Sequence, residues 1–211
     1  MMKDWEACYR GGDTPWDKGQ PAPPLLELLG RKPLALWGDG PVLVPGCGFG
    51  HDVRALAATG LPVVGLDIAE TAVQRARGFP ATGRESYEAG DFLDPAWRRG
   101  RGFSAIWEHT CFCAMDPGLR GKYAEAAADV LGPGQILAGV YYLTPNDPDE
   151  DGGGPPFNVT VEELDALFAP WFERIDAWVP QQVYPGREGR EWTGIFRKLP
   201  QARVAGSARY C

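Results

Sequence analysis

The sequence lacks any long apolar run and any cluster of basic residues. No stretch of its 211 residues approaches the roughly 18 consecutive apolar residues of a membrane-spanning helix. Lysine and arginine number 21 against 28 aspartate and glutamate, a net charge of −7, which disfavours binding to nucleic acid or an anionic membrane. The opening residues also lack the apolar core of a signal peptide. We therefore expect a cytoplasmic protein, a monomer or weak oligomer, with no nucleic-acid or membrane partner.

Cysteine and histidine are scarce. The five cysteines are an odd number without a Cys-x-x-Cys pair, which suits a reducing compartment better than a disulfide framework. Cys111 and Cys113 would share one face of a strand, but His51 and His109 are the only histidines in the sequence. Zinc sites usually need more sulfur and nitrogen ligands than this. We expect no bound metal, and small buried thiols instead.

The remaining composition is that of one globular domain, residues 1–211. A turn-rich segment, Gly11 to Pro24, predicts an ordered or partly mobile arm before the core, and we assign residues 1–24 to this arm. A second segment, Pro145 to Phe157, is acidic and rich in glycine and proline, which predicts a long loop that is either a lid or disordered.

Apolar runs and helical spacings alternate along the chain. The predicted strands cover residues 41–44, 61–66, 86–88, 103–107, 135–143, 174–179 and 192–198, and the predicted helices cover 52–58, 69–77, 119–131 and a segment that starts at a Thr160–Glu163 capping box. This alternation predicts a mostly parallel α/β sheet with helices on both faces. Two consecutive strands at the end are typical of the Rossmann-like class I S-adenosylmethionine-dependent methyltransferases, whose seven-stranded sheet ends in a β-hairpin.

A glycine-rich turn follows the first predicted strand. Gly46, Gly48 and Gly50 alternate with Cys47 and Phe49 directly before a helix. Turns without side chains let a ligand lie against the backbone beside the helix N-terminus. Asp67 ends the next strand, where a carboxylate accepts hydrogen bonds from ribose hydroxyls, although it could instead cap the following helix.

Two features favour adenosylmethionine over a nicotinamide dinucleotide as the ligand. The dinucleotide fingerprint Gly-x-Gly-x-x-Gly needs glycine at position 51, where this chain has histidine. After the third strand, Asp91 could accept from the adenine amino group and Phe92 could cover the ring, unless Asp91 is a simple turn residue. Three such sites in order after successive strands predict an adenosylmethionine pocket.

Four motifs together resemble the thiopurine S-methyltransferase family. They are Trp5-Glu6-x-x-Tyr9-x-x-Gly12-Asp13-Thr14-Pro15-Trp16-Asp17, Val44-Pro45-Gly46-Cys47-Gly48, Ile106-Trp107-Glu108-His109-Thr110-Cys111-Phe112-Cys113-Ala114-Met115 and Gly154-Pro155-Pro156-Phe157. The resemblance runs from about Trp5 to Lys198 and is strongest to the bacterial branch, in which Glu-His-Thr follows the fourth strand. It implies methyl transfer from S-adenosylmethionine to a thiol or a small anion.

The resemblance also implies a set of cofactor-binding residues. They are Trp5, Tyr9, Trp16, Gly46, Cys47, Gly48, Gly50, Asp67, Ile68, Asp91, Phe92 and Glu108. Trp5, Tyr9 and Trp16 correspond to an aromatic arm that folds over the cofactor, and aromatic faces stabilise a sulfonium cation by roughly 0.5 to 2 kcal/mol. The other six tryptophans have no motif support, and we assign them to the core.

Glu108 and His109 are the predicted catalytic residues. They end the fourth strand, at the edge where open α/β sheets bind ligands. In vertebrate thiopurine S-methyltransferases the two corresponding positions resemble Asp-Arg. Because this chain has His109 in place of the arginine, the resemblance does not decide whether its substrate is a thiopurine. His109 could deprotonate a thiol or orient an anion, or it could be a structural histidine. The leading prediction is in-line transfer of a methyl group to the sulfur of a small thiol or thiopurine-like acceptor. The alternatives are a halide, thiocyanate, O- or N-methyltransferase, or a cofactor-binding module without activity.

Overall fold

The computed structural model describes residues 3–146 and 153–200. Seven strands form one sheet in the order β3-β2-β1-β4-β5-β7-β6. Their bounds are Val42–Pro45 (β1), Pro62–Asp67 (β2), Arg84–Ala89 (β3), Phe103–His109 (β4), Leu131–Tyr142 (β5), Phe172–Trp178 (β6) and Glu191–Lys198 (β7). The first five strands pair in parallel, whereas β7 lies antiparallel between β5 and β6. The predicted class I sheet with its terminal hairpin is confirmed.

Helices cover both faces of the sheet. Their bounds are Trp5–Gly11 (α1), Pro23–Arg31 (α2), His51–Ala57 (α3), Glu70–Arg77 (α4), Pro95–Arg98 (α5), Cys111–Ala114 (α6), Arg120–Val130 (α7) and Val161–Phe168 (α8), with short 3₁₀ turns at Leu34–Trp37 and Pro117–Leu119. Thr160 and Glu163 form the predicted capping box at α8.

The central strands are apolar on both sides because each face packs against its own hydrophobic cluster. Along β4, Ile106 belongs to the cluster under α7, while Ala105 and Trp107 belong to the cluster on the opposite face with α2 and α3. A strand alternates its side chains between faces, so these neighbours fill two different layers. Trp107 is completely buried and meets Trp37 edge to face at 6.3 Å. The fold thus places the ends of β1, β2 and β4 at one fixed edge.

Three sequence predictions need correction. The predicted helix 119–131 ends at Val130, and β5 begins at Leu131 and runs through the Gly-Pro-Gly segment that we predicted as its terminator. Leu131 pairs with Phe103 across an irregular register, which extends the strand through the turn signal. Two helices in the first 31 residues, α1 and α2, were not predicted, and α2 begins inside the predicted arm.

The prolines explain the start of α2. Pro23 and Pro24 occupy its first turn, where their fixed φ suits a helix and their missing N–H donors cost nothing.

The acidic stretch Asp147 to Asp151 of the predicted lid or loop lies outside the described residues. Within the described part of the chain, no helix is long and apolar enough to cross a membrane.

The six tryptophans assigned to the core are confirmed there. Trp37, Trp107 and Trp192 are buried, and Trp97, Trp171 and Trp178 are partly buried against the two clusters.

Candidate functional site

Two adjoining cavities lie at the carboxyl edge of the parallel strands. The larger has a volume of about 470 Å³ and the smaller about 70 Å³. Both are bordered by Tyr9 and Trp16 of the arm, by Gly46 after β1 and by Thr110 after β4. This is the edge at which open α/β sheets bind ligands.

The conformation of the glycine turn after β1 is required by its backbone dihedral angles and by neighbouring side chains of the protein. Gly46 and Gly48 have φ of 60° and 53°, a region that strains other residues. A Cβ atom on Gly46 would lie 2.8 Å from Cβ of Cys111, and one on Gly48 would lie 3.0 Å from the Tyr9 hydroxyl. The absence of a Cβ atom at these glycines therefore leaves room for the side chains of Cys111 and Tyr9 as well as for a ligand. Gly46, Cys47 and Gly48 border the smaller cavity.

Gly50 differs from the other glycines of the turn. It is buried, it is absent from the walls of both cavities, and a Cβ there would lie 2.5 Å from Cε1 of Tyr87. The structure therefore gives Gly50 a packing role against Tyr87 rather than a place on the predicted cofactor surface.

Asp67 at the end of β2 is 4% exposed and borders the larger cavity. Its Oδ2 accepts from the Gly48 amide at 2.8 Å and its Oδ1 from the Ala69 amide at 2.9 Å. Burial raises the pKa of Asp67 above its ordinary value, against the lowering effect of these bonds. The carboxylate thus links the glycine turn to the start of α4, and each oxygen keeps a lone pair for a hydroxyl donor.

The other predicted adenosine contacts border the same cavity. Ile68 is 55% exposed, which is unusual for a large apolar side chain, and it leaves an apolar surface at the cavity wall. Asp91 accepts from the Leu93 amide at 2.8 Å, so it has the turn role that we weighed as an alternative. Phe92 is buried, with its ring 5.2 Å from that of Tyr123. The structure brings Asp67, Ile68, Asp91 and Phe92 together.

The arm supplies an aromatic cage at the entrance of the larger cavity. The rings of Trp5 and Trp16 lie 5.3 Å apart at 82°, and the Trp16 indole donates to the Tyr9 hydroxyl at 3.1 Å. The ammonium of Lys3 lies 5.1 Å from the Trp5 ring centroid and 4.9 Å from that of Trp16. These aromatic faces therefore hold a cation in this structure.

Two carboxylates fasten the arm to the domain. Glu6 accepts from the amide and the hydroxyl of Thr71 on α4, at 3.0 and 2.6 Å, and these bonds hold the pKa of Glu6 below its ordinary value. Asp17 lies 3.1 Å from Nε2 of His51. Both contacts are at the surface or half-buried, and the buried ring of Tyr9 packs against Phe49 as well. Opening of the arm therefore has to break the two polar contacts and expose this ring.

Binding of the cofactor should protect the arm from proteolysis. If the cage closes on the sulfonium, trypsin should cut after Arg10 and Lys18 more slowly when adenosylmethionine is present. The Glu6→Gln variant should be cut faster than the parent without cofactor, because the contact with Thr71 is weakened. Peptide mass spectrometry over a digestion time course measures both effects. Equal rates with and without cofactor would leave Trp16 as a packing residue.

His109 at the end of β4 borders the smaller cavity together with Asp52 and Tyr184. Its Nδ1 lies 3.0 Å from Oδ2 of Asp52, a residue that our sequence reasoning missed. Its Nε2 is buried and has no hydrogen-bond partner among the described residues. Asp52 occupies a buried position on α3 beside Val53, and a carboxylate on an apolar helix face was the signal available in the sequence.

Several donors keep Asp52 ionised. Burial would raise the pKa of Asp52, but His109, the Ala22 amide and the Trp107 indole outweigh it and hold the pKa below its ordinary value. The Ala22 amide donates at 2.7 Å and the Trp107 indole at 2.8 Å. Asp52 therefore carries a charge at neutral pH directly beside the imidazole.

Glu108 lies away from both cavities. It is 1% exposed, and its carboxylate accepts from the Phe112 amide at 2.7 Å and from the Tyr123 hydroxyl at 2.5 Å. Burial raises its pKa to about 7. This placement favours neither of the roles that we predicted for Glu108, catalysis and cofactor binding. Because it holds the first turn of α6 against α7, we assign it to positioning.

The Glu108→Gln variant should lose less stability on alkalinisation than the parent. The folded state holds the Glu108 proton more tightly than the unfolded chain, with a pKa of about 7 against an ordinary 4.5. This carboxyl therefore destabilises the fold progressively as the pH rises through that interval. Thermal unfolding at about pH 5 and about pH 8 should show a smaller fall in Tm for the glutamine variant. An equal fall in both proteins would contradict the assignment.

The larger cavity has two halves. One is lined by the predicted adenosine contacts described above, and the other is rich in sulfur. Its walls include Cys111, Cys113 and Met115 from α6 and its end, together with Phe157 and Arg187. Both cysteines lie on a helix rather than on the strand that we expected. Burial raises the pKa of Cys113 to about 12 and that of Cys111 well above its ordinary value, so both remain thiols at neutral pH.

Arg187 brings a positive charge to this half. It is 9% exposed, and its guanidinium donates to Glu191 at 2.8 Å and stacks 4.5 Å from the Tyr142 ring centroid. Thr110, which borders both cavities, has a φ of 62°, a strained value for a β-branched residue. Sequence reasoning gave no role to Arg187 or Tyr142.

The comparison with known families decides the class of protein. The sequence profile of thiopurine S-methyltransferase (TPMT) matches residues 1–195. The chain belongs to the thiopurine S-methyltransferase family. The resemblance drawn from the four motifs is therefore confirmed.

Two plant relatives match nearly the whole chain. Probable thiol methyltransferase 2 of Arabidopsis thaliana is 36% identical over 199 residues, 92% of this chain and 84% of that protein. Thiocyanate methyltransferase 1 of Brassica oleracea is 33% identical over 201 residues, with the same coverage of both chains. The names of these two relatives specify a thiol and thiocyanate, which are acceptors of the two kinds that the motifs implied.

Solved structures confirm the fold of this family member. A structure from work on the conversion of a disulfide bond into a thioacetal group during echinomycin biosynthesis has a TM-score of 0.74 at 23% identity, covering 96% of this chain and 93% of that one. Burkholderia thailandensis 1,6-didemethyltoxoflavin-N1-methyltransferase, solved with S-adenosylhomocysteine, has a TM-score of 0.67 at 20% identity, with coverage of 93% and 86%. This thiopurine S-methyltransferase family member is an S-adenosylmethionine-dependent methyltransferase, as predicted.

Proposed function

We propose that this methyltransferase acts on the sulfur of a small thiol or of hydrosulfide. The observation that carries the proposal is the sulfur-rich half of the larger cavity, which adjoins an aromatic cage that already holds a cation. Cys113 and Met115 present polarisable atoms, which suit a soft nucleophile better than a strongly hydrated oxygen anion. The family supports the same reaction class.

The chain's residues fit the cofactor along the sheet edge. In our proposal Asp67 accepts from the ribose hydroxyls, Asp91 from the adenine amino group, and Ile68 and Phe92 cover the ring. The glycine turn at Gly46 to Gly48 lies beside the methionine end. The cofactor supplies an activated methyl group on a cationic sulfur, for which the cage of Trp5, Tyr9 and Trp16 is the matching surface.

The protein then has to align the acceptor and exclude water. Methyl transfer is an in-line displacement, so most of its acceleration comes from holding the two sulfur atoms and the methyl carbon in one line in a dry site. We place the reacting atoms where the cavities join, between Gly46 and Thr110. A free thiol with a pKa near 8.5 is only a few per cent ionised at neutral pH, so a base nearby raises the reactive fraction.

His109 is the base in this proposal. His109 borders the smaller cavity, and its Nε2 is buried without a hydrogen-bond partner in the described part of the chain. The acceptor's S–H proton passes to this nitrogen while the acceptor sulfur bonds to the methyl carbon. The protonated cysteines of the cavity are poor nucleophiles, which protects the enzyme from methylating itself.

One observation favours a second candidate acceptor. Arg187 places a guanidinium in the acceptor half, where it could attract a small anion such as thiocyanate or iodide. Glu191 accepts from this guanidinium at 2.8 Å and offsets its charge, so we rank anions below thiols. An O- or N-methyl acceptor has no comparable feature in its favour among the described residues.

Turnover on a panel of acceptors tests the proposed function. The panel holds hydrosulfide, aliphatic and aromatic thiols, thiopurines, iodide and thiocyanate, with formation of S-adenosylhomocysteine as the readout. We expect the highest kcat/KM for hydrosulfide or a short thiol. Preference for iodide or thiocyanate would move the acceptor class to anions. Cofactor binding without turnover on any acceptor would identify a binding module.

The proposal includes the setting in which the enzyme works. We place it in the cytoplasm, as a monomer or weak oligomer without a nucleic-acid partner, because its net charge of −7 and free thiols suit that compartment.

A further inference from the structure

We propose that Asp52 is a positioning residue for the reaction, which fixes His109 in the tautomer that carries its proton on Nδ1 and leaves Nε2 as the acceptor. The inference rests on the base role of His109 proposed above. It assigns a function to a buried carboxylate that entered the sequence analysis only as the first residue of the predicted helix 52–58.

Asp52 accepts from three groups. Its Oδ1 accepts from the Ala22 amide at 2.7 Å, and its Oδ2 lies 2.8 Å from Nε1 of Trp107 and 3.0 Å from Nδ1 of His109. An amide N–H and an indole N–H can only donate, so Asp52 must serve both as an acceptor. An ionised carboxylate has no proton to give, and Nδ1 of His109 must therefore be the donor in the third bond.

The contacts of the second imidazole nitrogen, Nε2, indicate whether it carries a proton. Nε2 of His109 is buried and has no hydrogen-bond partner among the described residues. A proton on Nε2 would be a buried donor without an acceptor, which is costly. These contacts therefore favour the tautomer with the proton on Nδ1 and the lone pair on Nε2. This lone pair is the acceptor that we propose for the thiol proton.

The ring is also held in orientation. Tyr184 packs against the His109 ring with centroids 6.1 Å apart and planes 27° from parallel. The Tyr184 hydroxyl donates to the Gln20 carbonyl at 2.8 Å, so it is directed away from either imidazole nitrogen. A ring held by a carboxylate on one edge and an aromatic face on the other stays aligned for proton transfer.

The proton balance of this arrangement is simple. When the new carbon–sulfur bond forms, the bond from the methyl carbon to the sulfonium breaks and its electron pair stays on the departing thioether sulfur. The thiol proton moves to Nε2, and Asp52 stabilises the resulting imidazolium without accepting its Nδ1 proton. Water removes the Nε2 proton after the product leaves.

Nitrogen NMR tests the tautomer directly because the sequence has only two histidines. Long-range ¹H–¹⁵N spectra of the full-length protein, assigned with His51→Gln, should show the Nδ1–H tautomer for His109. In Asp52→Asn this tautomer should disappear or become a minor form. The kcat for an aliphatic thiol should fall at least about tenfold, since a wrongly held base is a poor one. The Kd of the cofactor should change by less than about twofold.

Glu27→Gln is the matched control. Glu27 on α2 also accepts from a tryptophan indole, that of Trp178 at 2.9 Å, and from the amides of Gln181 and Gln182, but no histidine contacts it in the described structure. The Glu27→Gln variant should have a lower Tm than the parent protein but the same His109 tautomer and the same kcat. If Asp52→Asn does not fold, the parent spectrum still decides, because an Nε2–H tautomer there would overturn the proposal.

The same experiment separates this inference from the proposed function. Loss of the Nδ1–H tautomer together with loss of kcat in Asp52→Asn supports positioning. An unchanged tautomer or an unchanged kcat overturns it. If His109→Ala keeps full activity on the aliphatic thiol, the base role itself fails, whereas the tautomer in the parent still reports on the contact with Asp52.

Discussion

Replacement of His109 with alanine should lower kcat for an aliphatic thiol by about 10²-fold or more, the usual scale for the loss of a general base. The acceptor would then have to reach the cofactor as the few per cent of thiolate that bulk water provides. Affinity for S-adenosylmethionine should barely change, because the adenosine contacts at Asp67 and Phe92 lie in the other cavity. Steady-state rates and calorimetry measure the two effects.

An acidic aromatic thiol is the control for this prediction. Such an acceptor is already ionised at the assay pH, so it needs no base and the loss in His109→Ala should shrink. An equal loss with both acceptors would show that His109 positions the acceptor rather than deprotonating it. No loss with either would remove His109 from the reaction and leave proton transfer to water.

Replacement of Asp67 with alanine should weaken the binding of S-adenosylmethionine at least tenfold. Two charge-assisted hydrogen bonds from ribose hydroxyls, each of roughly 1.5 to 3 kcal/mol, would be lost. The variant also loses the bonds from the Gly48 amide in the turn between β1 and α3 and from the Ala69 amide at the start of α4. Calorimetry with adenosylhomocysteine therefore needs a control that separates these two causes.

A 2′-deoxy analogue of adenosylhomocysteine provides that control through a double-mutant cycle. In the parent protein the analogue should bind more weakly than adenosylhomocysteine, whereas in Asp67→Ala the two ligands should bind alike. If the analogue loses as much affinity in the variant as in the parent, Asp67 serves the turn and not the ribose. Unchanged affinity for adenosylhomocysteine in the variant would also overturn the ribose assignment.

Much of the fold could be predicted from periodicity. The central strands β1, β2 and β4 are short apolar runs bounded by glycine or aspartate, and each was predicted near its true bounds. Helix α1 was missed because most of its stability comes from outside the helix: Tyr9 is buried against Phe49, and Glu6 binds Thr71 on α4. Such long-range contacts override weak local signals.

The candidate site was predicted where a motif ends a strand. Asp67, Asp91 and His109 reach the cavities because parallel strands deliver their ends to one edge. Adjacent residues on a strand point to opposite sides, so Glu108 turns into the core while His109 turns to the cavity. Asp52 escaped prediction because its partners Ala22 and Trp107 are distant in sequence. Arg187 pairs with the nearby Glu191, but its contact with Tyr142 in the cavity wall is distant in sequence as well.

The two halves of the larger cavity come from different parts of the chain. Apart from the arm, the walls of the adenosine half end at Leu93, and the walls of the sulfur-rich half begin at Thr110. Between them lies the turn 99–102, whose four residues are exposed to solvent. Genetic recombination between two family members at this turn would join the cofactor grip of one parent to the acceptor chemistry of the other. New acceptor preferences could thus arise by a single crossover, without rebuilding the adenosine site.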